Sequence, residues 1–194
     1  DIEGNVLIDG LRNPHGMVIL EDSIIISEKG RLVKFDSDFT NRTVLIDGIP
    51  WGNHQTNAIN LLPNGTLIWH SGSTCNNCEE DDSRNAALLW VNATNGEHGV
   101  LATGVRNSFD GVWVEEIGYL FSDNGQDAMG EDFPVEEVNL LVEGAEYGWL
   151  TESTDDPNPI GTEAPVATWT PHTSLNGMTT KPDLLPGDEY TVYA

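Results

Sequence analysis

The sequence contains very little positive charge. Only 8 of its 194 residues are lysine or arginine, against 32 aspartates and glutamates, which gives a formal net charge of −24. Nucleic-acid binding depends on lysine and arginine contacts to phosphates, so the composition argues against a nucleic-acid partner. The acidic residues are spread along the chain, as in a solvated acidic surface. Two explanations stay open: a salt-rich habitat, where screening reduces self-repulsion, and an acidic secreted protein that binds calcium.

Long apolar runs and helical periodicity are also scarce. No run approaches the roughly 18 apolar residues that a membrane helix needs, so no membrane span is predicted. Short apolar runs separated by glycine and asparagine predominate, a pattern typical of many short antiparallel strands. The chain begins without a methionine or a signal peptide and ends in a strand-like run. We therefore expect it to be part of a longer polypeptide.

Two stretches of the sequence resemble each other at an offset of 94 residues. Gly10–Ile19 continues into Ile24–Gly30, and Gly104–Trp113 continues into Tyr119–Gly125, by which point the offset has grown to 95. Stretches of different sequence begin near 54 and near 172. This repetition predicts one all-β domain over residues 1–194, built from units that begin near 10, 54, 104 and 172. Radial closure of such units would protect their sheet edges.

Turn signals divide these units further. The Asn64-Gly65 pair suits a two-residue hairpin turn in which both residues have positive φ. From Thr151 to Pro165, proline, aspartate and glycine accumulate without periodicity, which predicts a loop between units. Three sequons, at Asn41, Asn64 and Asn92, fall at expected hairpin tips, where a glycan can be accommodated. With a single pair of cysteines, they favour an extracellular or cell-surface setting.

Five motifs follow one another between His54 and Trp149. They are Gly52–Gln55, Gly72–Glu80, Ala102–Asn107, Ser122–Asp127 and Glu136–Trp149. In order and spacing they resemble the soluble quinoprotein sugar dehydrogenases, the pyrroloquinoline-quinone (PQQ) family that includes the sorbosone-dehydrogenase-like proteins. The resemblance is strong over about half of the chain and fainter towards both ends.

The resemblance implies a six-bladed β-propeller. At roughly 40 to 50 residues per blade, this chain would supply about four blades. It also implies PQQ- and calcium-dependent oxidation of an aldose-type sugar, by hydride transfer to the quinone, with a further electron acceptor as partner. The family's remaining cofactor-orienting lysines and arginines lie in later blades.

Within the resemblance, His54 corresponds to the base that takes the proton from the sugar C1 hydroxyl. Imidazole suits this task because its pKa lies near the working pH. Gln55, beside it, would contact the cofactor. Some family members orient the histidine with an aspartate, whereas here, as in the sorbosone-like branch, Ser73 occupies that place. The alternative is a hairpin-end histidine bonded to nearby backbone. The other histidines are expected to be structural or exposed.

Arg106 and Asn107 would lie near the quinone. A guanidinium can donate hydrogen bonds to quinone oxygens and stabilise the negative charge that develops on reduction. The alternative is a turn arginine paired with one of the many carboxylates, and Arg12-Asn13 repeats the motif in another unit.

Gly125 and Gln126 match the place where the family's backbone carbonyls bind calcium. Calcium prefers several oxygen ligands, which glycine-rich turns present well. Asp123, Glu137 and Tyr147 are further candidates for metal contacts. Alternatively, the acidic residues here are a solvated surface.

Cys75 and Cys78 allow three interpretations. A zinc site would need two more ligands, and no second Cys-x-x-Cys or closely spaced histidine pair is present. A thioredoxin-like role would need a βαβ context that is missing. A short-range disulfide that shapes the loop beside the site is the prediction, and the sorbosone-like proteins show the same Cys-x-x-Cys-Glu-Glu run.

A non-catalytic function is the alternative to the enzyme. Because fold does not imply function, the chain could belong to a non-catalytic cell-surface or assembly glycoprotein that retains the propeller scaffold. Basic residues facing the cofactor pocket in later blades would favour the enzyme.

Overall fold

The computed structural model describes residues 4–180 and 191–194. Within these residues the regular structure consists of fourteen β-strands and no helix. The strands are β1 (Met17–Ile19), β2 (Ser23–Glu28), β3 (Arg31–Asp36), β4 (Arg42–Ile46), β5 (Thr56–Leu61), β6 (Leu67–Ser71), β7 (Ala87–Val91), β8 (His98–Thr103), β9 (Gly111–Val114), β10 (Gly118–Asp123), β11 (Glu136–Leu140), β12 (Ala167–Trp169), β13 (Thr179–Thr180) and β14 (Val192–Tyr193).

The strands form four antiparallel sheets in which neighbours in sequence are neighbours in space. Strands β1–β4, β5–β8 and β9–β12 each make a four-stranded meander, and β13 pairs with β14. We call these sheets blades 1 to 4. The blades begin at Met17, Thr56, Gly111 and Thr179. Blades 1 and 3, which carry the sequence repeat, therefore begin 94 residues apart.

The blades pack face to face around a common axis. The first strand of each blade contacts the first strand of the next, β1 with β5, β5 with β9 and β9 with β13. One apolar cluster joins blades 1 and 2 through Ile25, Leu67 and Trp69. Further clusters join blade 2 to blade 3 and blade 3 to blade 4. This radial arrangement is a partial β-propeller, and the predicted fold class is confirmed.

Both faces of a blade are apolar, which explains the unbroken apolar runs in the sequence. In β2, Ile25 faces blade 2, whereas Ile24 and Ile26 pack with Phe35 in a separate cluster on the other face. All six residues of β2 are buried. A strand covered on both sides loses the alternation that marks a half-exposed strand.

Two local predictions were wrong. The turn around Asn64-Gly65 spans the five residues between β5 and β6, and of the pair only Gly65 has positive φ. Side-chain bonding explains the longer turn: Asn64 Oδ1 accepts a hydrogen bond from Thr66 N, while Leu62 N donates to Thr66 O.

The stretch from 151 to 165 does not join two blades. It lies inside blade 3, between β11 and β12, because Ala167–Trp169 pairs with β11. Before this stretch the chain follows the outer edge of blade 2, where Glu146 forms a parallel bridge to Thr103. Trp149 N then donates to Gly104 O, which places the indole beside the loops at one end of blade 2.

The described residues contain no helix that is both long and apolar enough to cross a membrane. The three sequons lie in connections between the first and second or third and fourth strands of their blades: Asn41 before β4, Asn64 between β5 and β6, and Asn92 between β7 and β8. Their glycosylation stays a prediction.

Candidate functional site

The predicted site motifs meet at one end of blades 2 and 3. In an antiparallel meander the segment before the first strand and the connection between the second and third strands lie at the same end. His54 and Arg106 precede first strands, and the cysteine loop and the Asp123 loop join second strands to third strands. Bonds from backbone N–H groups tie them together: Ser73 N donates to the carbonyl of Arg106 at 2.8 Å, and Arg106 N donates to the side-chain Oδ2 of Asp123 at 2.9 Å.

Cys75 and Cys78 form the predicted disulfide. Both sulfur atoms are therefore occupied, although with Glu80 they make the group whose spacing could otherwise hold a metal ion among the described residues. The zinc half-site interpretation is excluded for the oxidised protein. Thr74 binds both carboxylate oxygens of Glu80, which holds the loop closed on its other side.

Asn76, inside the disulfide loop, contacts most of the other motifs. Its Oδ1 accepts from Arg106 Nη2 at 2.8 Å and from Asp127 N at 2.9 Å, and its carbonyl accepts from Trp149 Nε1 at 3.1 Å. The next residue, Asn77, donates to Gln126 Oε1. Sequence reasoning did not single out Asn76. The only signal was its position between the two cysteines of a short ring.

His54 lies half-buried against this loop. Its Nδ1 is 2.8 Å from Ser73 Oγ, and Ser73 Oγ donates to Cys75 O at 2.7 Å. The glycine at position 72 allows the His54 side chain to lie close to the backbone, since a Cβ on Gly72 would lie only 2.7 Å from His54 Cβ. Within the described chain, His54 Nε2 has no hydrogen-bond partner.

The pKa of His54 is lowered to about 4, first by burial and second by the positive charge of Arg106, while Ser73 and Asp127 act in the opposite direction. The ring is therefore neutral at pH 7. A neutral imidazole with a free nitrogen is the form that can accept a proton.

Two side-chain amides among the predicted site residues, those of Asn107 and Gln55, have unused donors. Asn107 donates its backbone N–H to Asp123 Oδ1 at 2.7 Å and accepts from Asn57 Nδ2 at 3.1 Å, but its own Nδ2 has no partner in the described part of the chain. The same holds for the side chain of Gln55. Both residues are partly buried. They could donate to a ligand without breaking an existing bond.

Arg106 is in a different situation, because the protein itself uses all five of its N–H groups. Nε donates to Asn76 O, Nη1 to the carbonyls of Asn124 and Gly125, and Nη2 to Asn76 Oδ1 and Asp127 Oδ2. The side chain is 5 % exposed. In this arrangement Arg106 supplies positive charge to the site and no free donor. Its catalytic and cofactor-binding roles stay a prediction.

A pocket next to Arg106 collects carboxylates. The pKa of both Asp123 and Glu152 is raised to about 8, with burial as the largest cause, and burial also raises the pKa of Glu137. For Glu152, the nearby charges of Glu137 and Asp123 contribute to this rise. The lining residues are Arg106, Asp123, Gly125, Val135, Glu137, Tyr147, Trp149 and Glu152. A cation in this pocket would relieve the mutual repulsion.

The carboxylate and carbonyl oxygens in and beside this pocket fit calcium, which prefers oxygen ligands. Glu137 and Glu152 are the carboxylates least engaged by hydrogen bonds, since both oxygens of Asp123 accept backbone N–H groups. The Gly125 carbonyl is shared with Arg106 Nη1 at 2.6 Å. The Tyr147 hydroxyl is already held by two hydrogen bonds within the protein, since it donates to Leu140 O and accepts from Val142 N. The predicted ligands Gly125, Gln126, Asp123, Glu137 and Tyr147 stay predictions.

A second histidine, His70, lies in the core of blade 2, the blade whose first strand follows His54. Its Nδ1 is 2.7 Å from Ser108 Oγ and its Nε2 is 2.6 Å from Tyr119 OH. Tyr119 OH in turn donates to Asn60 Oδ1 at 2.7 Å. Burial lowers the pKa of His70 to about 3. Both ring nitrogens are occupied, so this histidine is structural.

Comparison with known proteins gives few sequence relatives. No family model matches the chain. An uncharacterized protein from Borreliella burgdorferi is 30 % identical over 126 residues, which cover 62 % of this chain and 33 % of that protein. The chain thus spans about a third of the length of this curated relative.

Solved structures show the same fold at low identity. A calcium structure of a carbohydrate-active enzyme of family AA12 from Trichoderma reesei has a TM-score of 0.69 at 16 % identity and covers 84 % of this chain and 57 % of its own. The apo form of the soluble aldose sugar dehydrogenase from Escherichia coli has a TM-score of 0.53 at 14 % identity, with 94 % and 79 % covered. A nidogen/laminin complex has a TM-score of 0.53 at 17 % identity, with 89 % and 54 % covered.

Proposed function

We propose that this chain forms part of a secreted oxidoreductase that oxidises an aldose-type sugar with PQQ and calcium. The observation that carries the proposal is His54, a neutral and partly buried histidine with a free Nε2, set among polar groups at one end of a partial propeller. The likeness to an aldose sugar dehydrogenase supports the fold on which such a site would be built.

His54 would act as the general base. Its Nε2 would take the proton of the sugar C1 hydroxyl as the C1–O bond becomes a carbonyl, which leaves a lactone as the product. When bound, PQQ would accept the hydride that leaves C1. A base with a depressed pKa remains neutral in mildly acidic solution, so it keeps its acceptor nitrogen there.

Gln55 and Asn107 would hold the cofactor and substrate through their unused amide donors. Arg106, whose donors are all engaged, would contribute by its charge, since a fixed cation stabilises negative charge developing nearby. Calcium would be held by Glu137, Glu152 and the Gln126 carbonyl, and would supply positive charge at the edge of the same site.

The test is reconstitution of the full-length protein with PQQ and calcium, followed by aldose-dependent reduction of an electron-accepting dye. We expect turnover that needs quinone, calcium and sugar together. His98→Gln is a suitable control, because His98 is the first residue of β8 in the same blade and its Nδ1 bonds to Gly96 O. Quinone binding without sugar-dependent dye reduction would contradict the proposed substrate class.

The second candidate is a non-catalytic surface or assembly glycoprotein. The likeness to the nidogen/laminin complex favours it only to the extent that the same fold occurs in a structural assembly. The two candidates differ in a single measurement: a protein that binds no quinone in the presence of calcium is the scaffold and not the enzyme.

A further inference from the structure

We propose that Ser73 and the carbonyl of Cys75 are positioning groups that hold His54 as the Nδ1–H tautomer, with Nε2 as the acceptor nitrogen. The inference rests on the proposed function only for its kinetic consequence. The tautomer is a property of the protein alone, and it follows from an account of the available protons.

Ser73 has one hydroxyl proton and two neighbours within hydrogen-bond distance. Cys75 O lies at 2.7 Å and is a carbonyl, so it can only accept. His54 Nδ1 lies at 2.8 Å and can donate or accept, depending on the tautomer. If Ser73 donates to Cys75 O, Nδ1 must carry a proton and donate to Ser73 Oγ. If Ser73 donates to Nδ1 instead, the carbonyl loses this bond.

The first arrangement makes two hydrogen bonds and the second makes one. Ser73 is fully buried, so a lost bond at this position is not replaced by bulk water. A buried polar group without a partner carries a desolvation penalty. The two-bond arrangement therefore prevails and assigns the proton to Nδ1.

The Cys75 carbonyl is held in place before any ligand binds. It belongs to the ring closed by the disulfide to Cys78. The next residue, Asn76, is fixed by Arg106 and Asp127. The acceptor that selects the tautomer is thus anchored to the loops of blade 3 as well as to its own blade.

His70 supplies an internal reference with the opposite tautomer. Tyr119 donates its only hydroxyl proton to Asn60 Oδ1, so it must accept from His70 Nε2–H, and His70 Nδ1 accepts from Ser108. The orientation of the Asn60 amide is fixed because its Nδ2 donates to Asp110 Oδ1. The protonated and unprotonated ring nitrogens should therefore be exchanged between His54 and His70 in a ¹⁵N spectrum.

The experiment uses the full-length protein with ¹⁵N-labelled histidine, without quinone or sugar, at pH 7. Long-range ¹H–¹⁵N correlations distinguish a protonated ring nitrogen from an unprotonated one, and His54→Gln and His70→Gln assign the two rings. We expect His54 to show a protonated Nδ1 and an unprotonated Nε2, and His70 the reverse. A protonated Nε2 on His54 would overturn the inference, whatever the protein's activity.

Ser73→Ala removes the acceptor for Nδ1–H and should convert the His54 signal into a mixture of tautomers. Ser71→Ala is the matched control, since Ser71 is a buried serine of the adjoining strand whose hydroxyl has no partner. Ser73→Thr retains the hydroxyl and should restore the single tautomer. Unchanged tautomer in Ser73→Ala would show that Ser73 does not position the ring.

The effect on kcat and KM is measured with the reconstituted protein. Ser73→Ala should lower kcat by roughly 10- to 100-fold, as the loss of a group that orients a metal-ligating histidine does, with little change in KM. Ser71→Ala should leave kcat unchanged. If the tautomer is as inferred but no variant, including the parent, oxidises sugar, the proposed function fails while the assignment of the proton stands.

Discussion

His54 and His70 belong to the same blade, and each has a serine hydroxyl against Nδ1, yet they are suited to opposite tasks. His54 lies before the first strand and has Nε2 free among the described residues. His70 lies inside the second strand, and Tyr119 occupies its Nε2. Burial lowers the pKa of both rings far enough that both are neutral at pH 7. Neutrality is therefore common to the two sites, and the unoccupied nitrogen is what makes one of them a candidate base.

The largest effect we expect is on catalysis. In the reconstituted full-length protein, His54→Ala should lower turnover of an aldose by roughly 10² to 10⁴, the usual contribution of a positioned base. Quinone binding should be nearly unchanged, because other groups hold the cofactor. Steady-state dye reduction and quinone titration measure the two quantities. Turnover close to that of the parent protein would remove His54 from the mechanism.

The next effect is on stability. His70→Ala should lower the free energy of unfolding by about 2–5 kcal/mol, because it leaves a cavity and removes partners from Ser108 and Tyr119. Denaturant unfolding followed by tryptophan fluorescence measures it. His54→Ala, treated in the same way, should lose much less, and an equal loss in the two variants would contradict the distinction between them.

The pH dependence of catalysis separates His54 from an ordinary histidine. Only the neutral ring can accept the proton, and the pKa of His54 is lowered from 6.5 to about 4. Activity should therefore persist as the pH falls through 6 and 5 and should disappear below about 4. The profile of kcat/KM against pH reports the free protein. An acid limb near 6.5 would show that the environment of His54 is more open than in the structure.

The same shifts make a statement about folding. Both histidines bind a proton more readily in the unfolded chain, so their contribution to stability is full above about pH 6.5. It is lost as the pH falls towards about 4 for His54 and about 3 for His70. Unfolding free energies measured in this range for His70→Gln should lose part of the pH dependence of the parent.

The smallest effect is expected at the edge of the His70 network. Tyr119→Phe keeps the ring but removes the hydroxyl, so His70 Nε2–H and Asn60 Oδ1 lose their partner. The free energy of unfolding should fall by about 1–3 kcal/mol, with dye reduction unaffected. A loss of activity in this variant would connect the core network to the site and contradict the distinction between His54 and His70.

Much of the fold was visible in the sequence because it depends on local patterns. The 94-residue repeat between Gly10–Ile19 and Gly104–Trp113 corresponds to blades 1 and 3, and the cysteine pair forms the predicted disulfide. The turn at Asn64-Gly65 was predicted too short, since a side-chain bond from Asn64 stabilises a longer loop. The stretch from 151 to 165 was assigned to the wrong connection, because the pairing of β12 with β11 is not local.

The sequence by itself determined the class of structure and the order of the motifs at its candidate site, since strand periodicity and turn residues act over a few neighbouring positions. Only the tertiary structure decided which groups of that site are free. Arg106 was predicted to donate to a quinone, but residues 76, 124, 125 and 127 take all five of its N–H groups. His54 and His70 differ in the partner at Nε2, which for His70 is Tyr119, 49 residues away in sequence. A hydrogen-bonding group has a fixed number of donors and acceptors, and whether one remains unused depends on every residue that the fold brings to it.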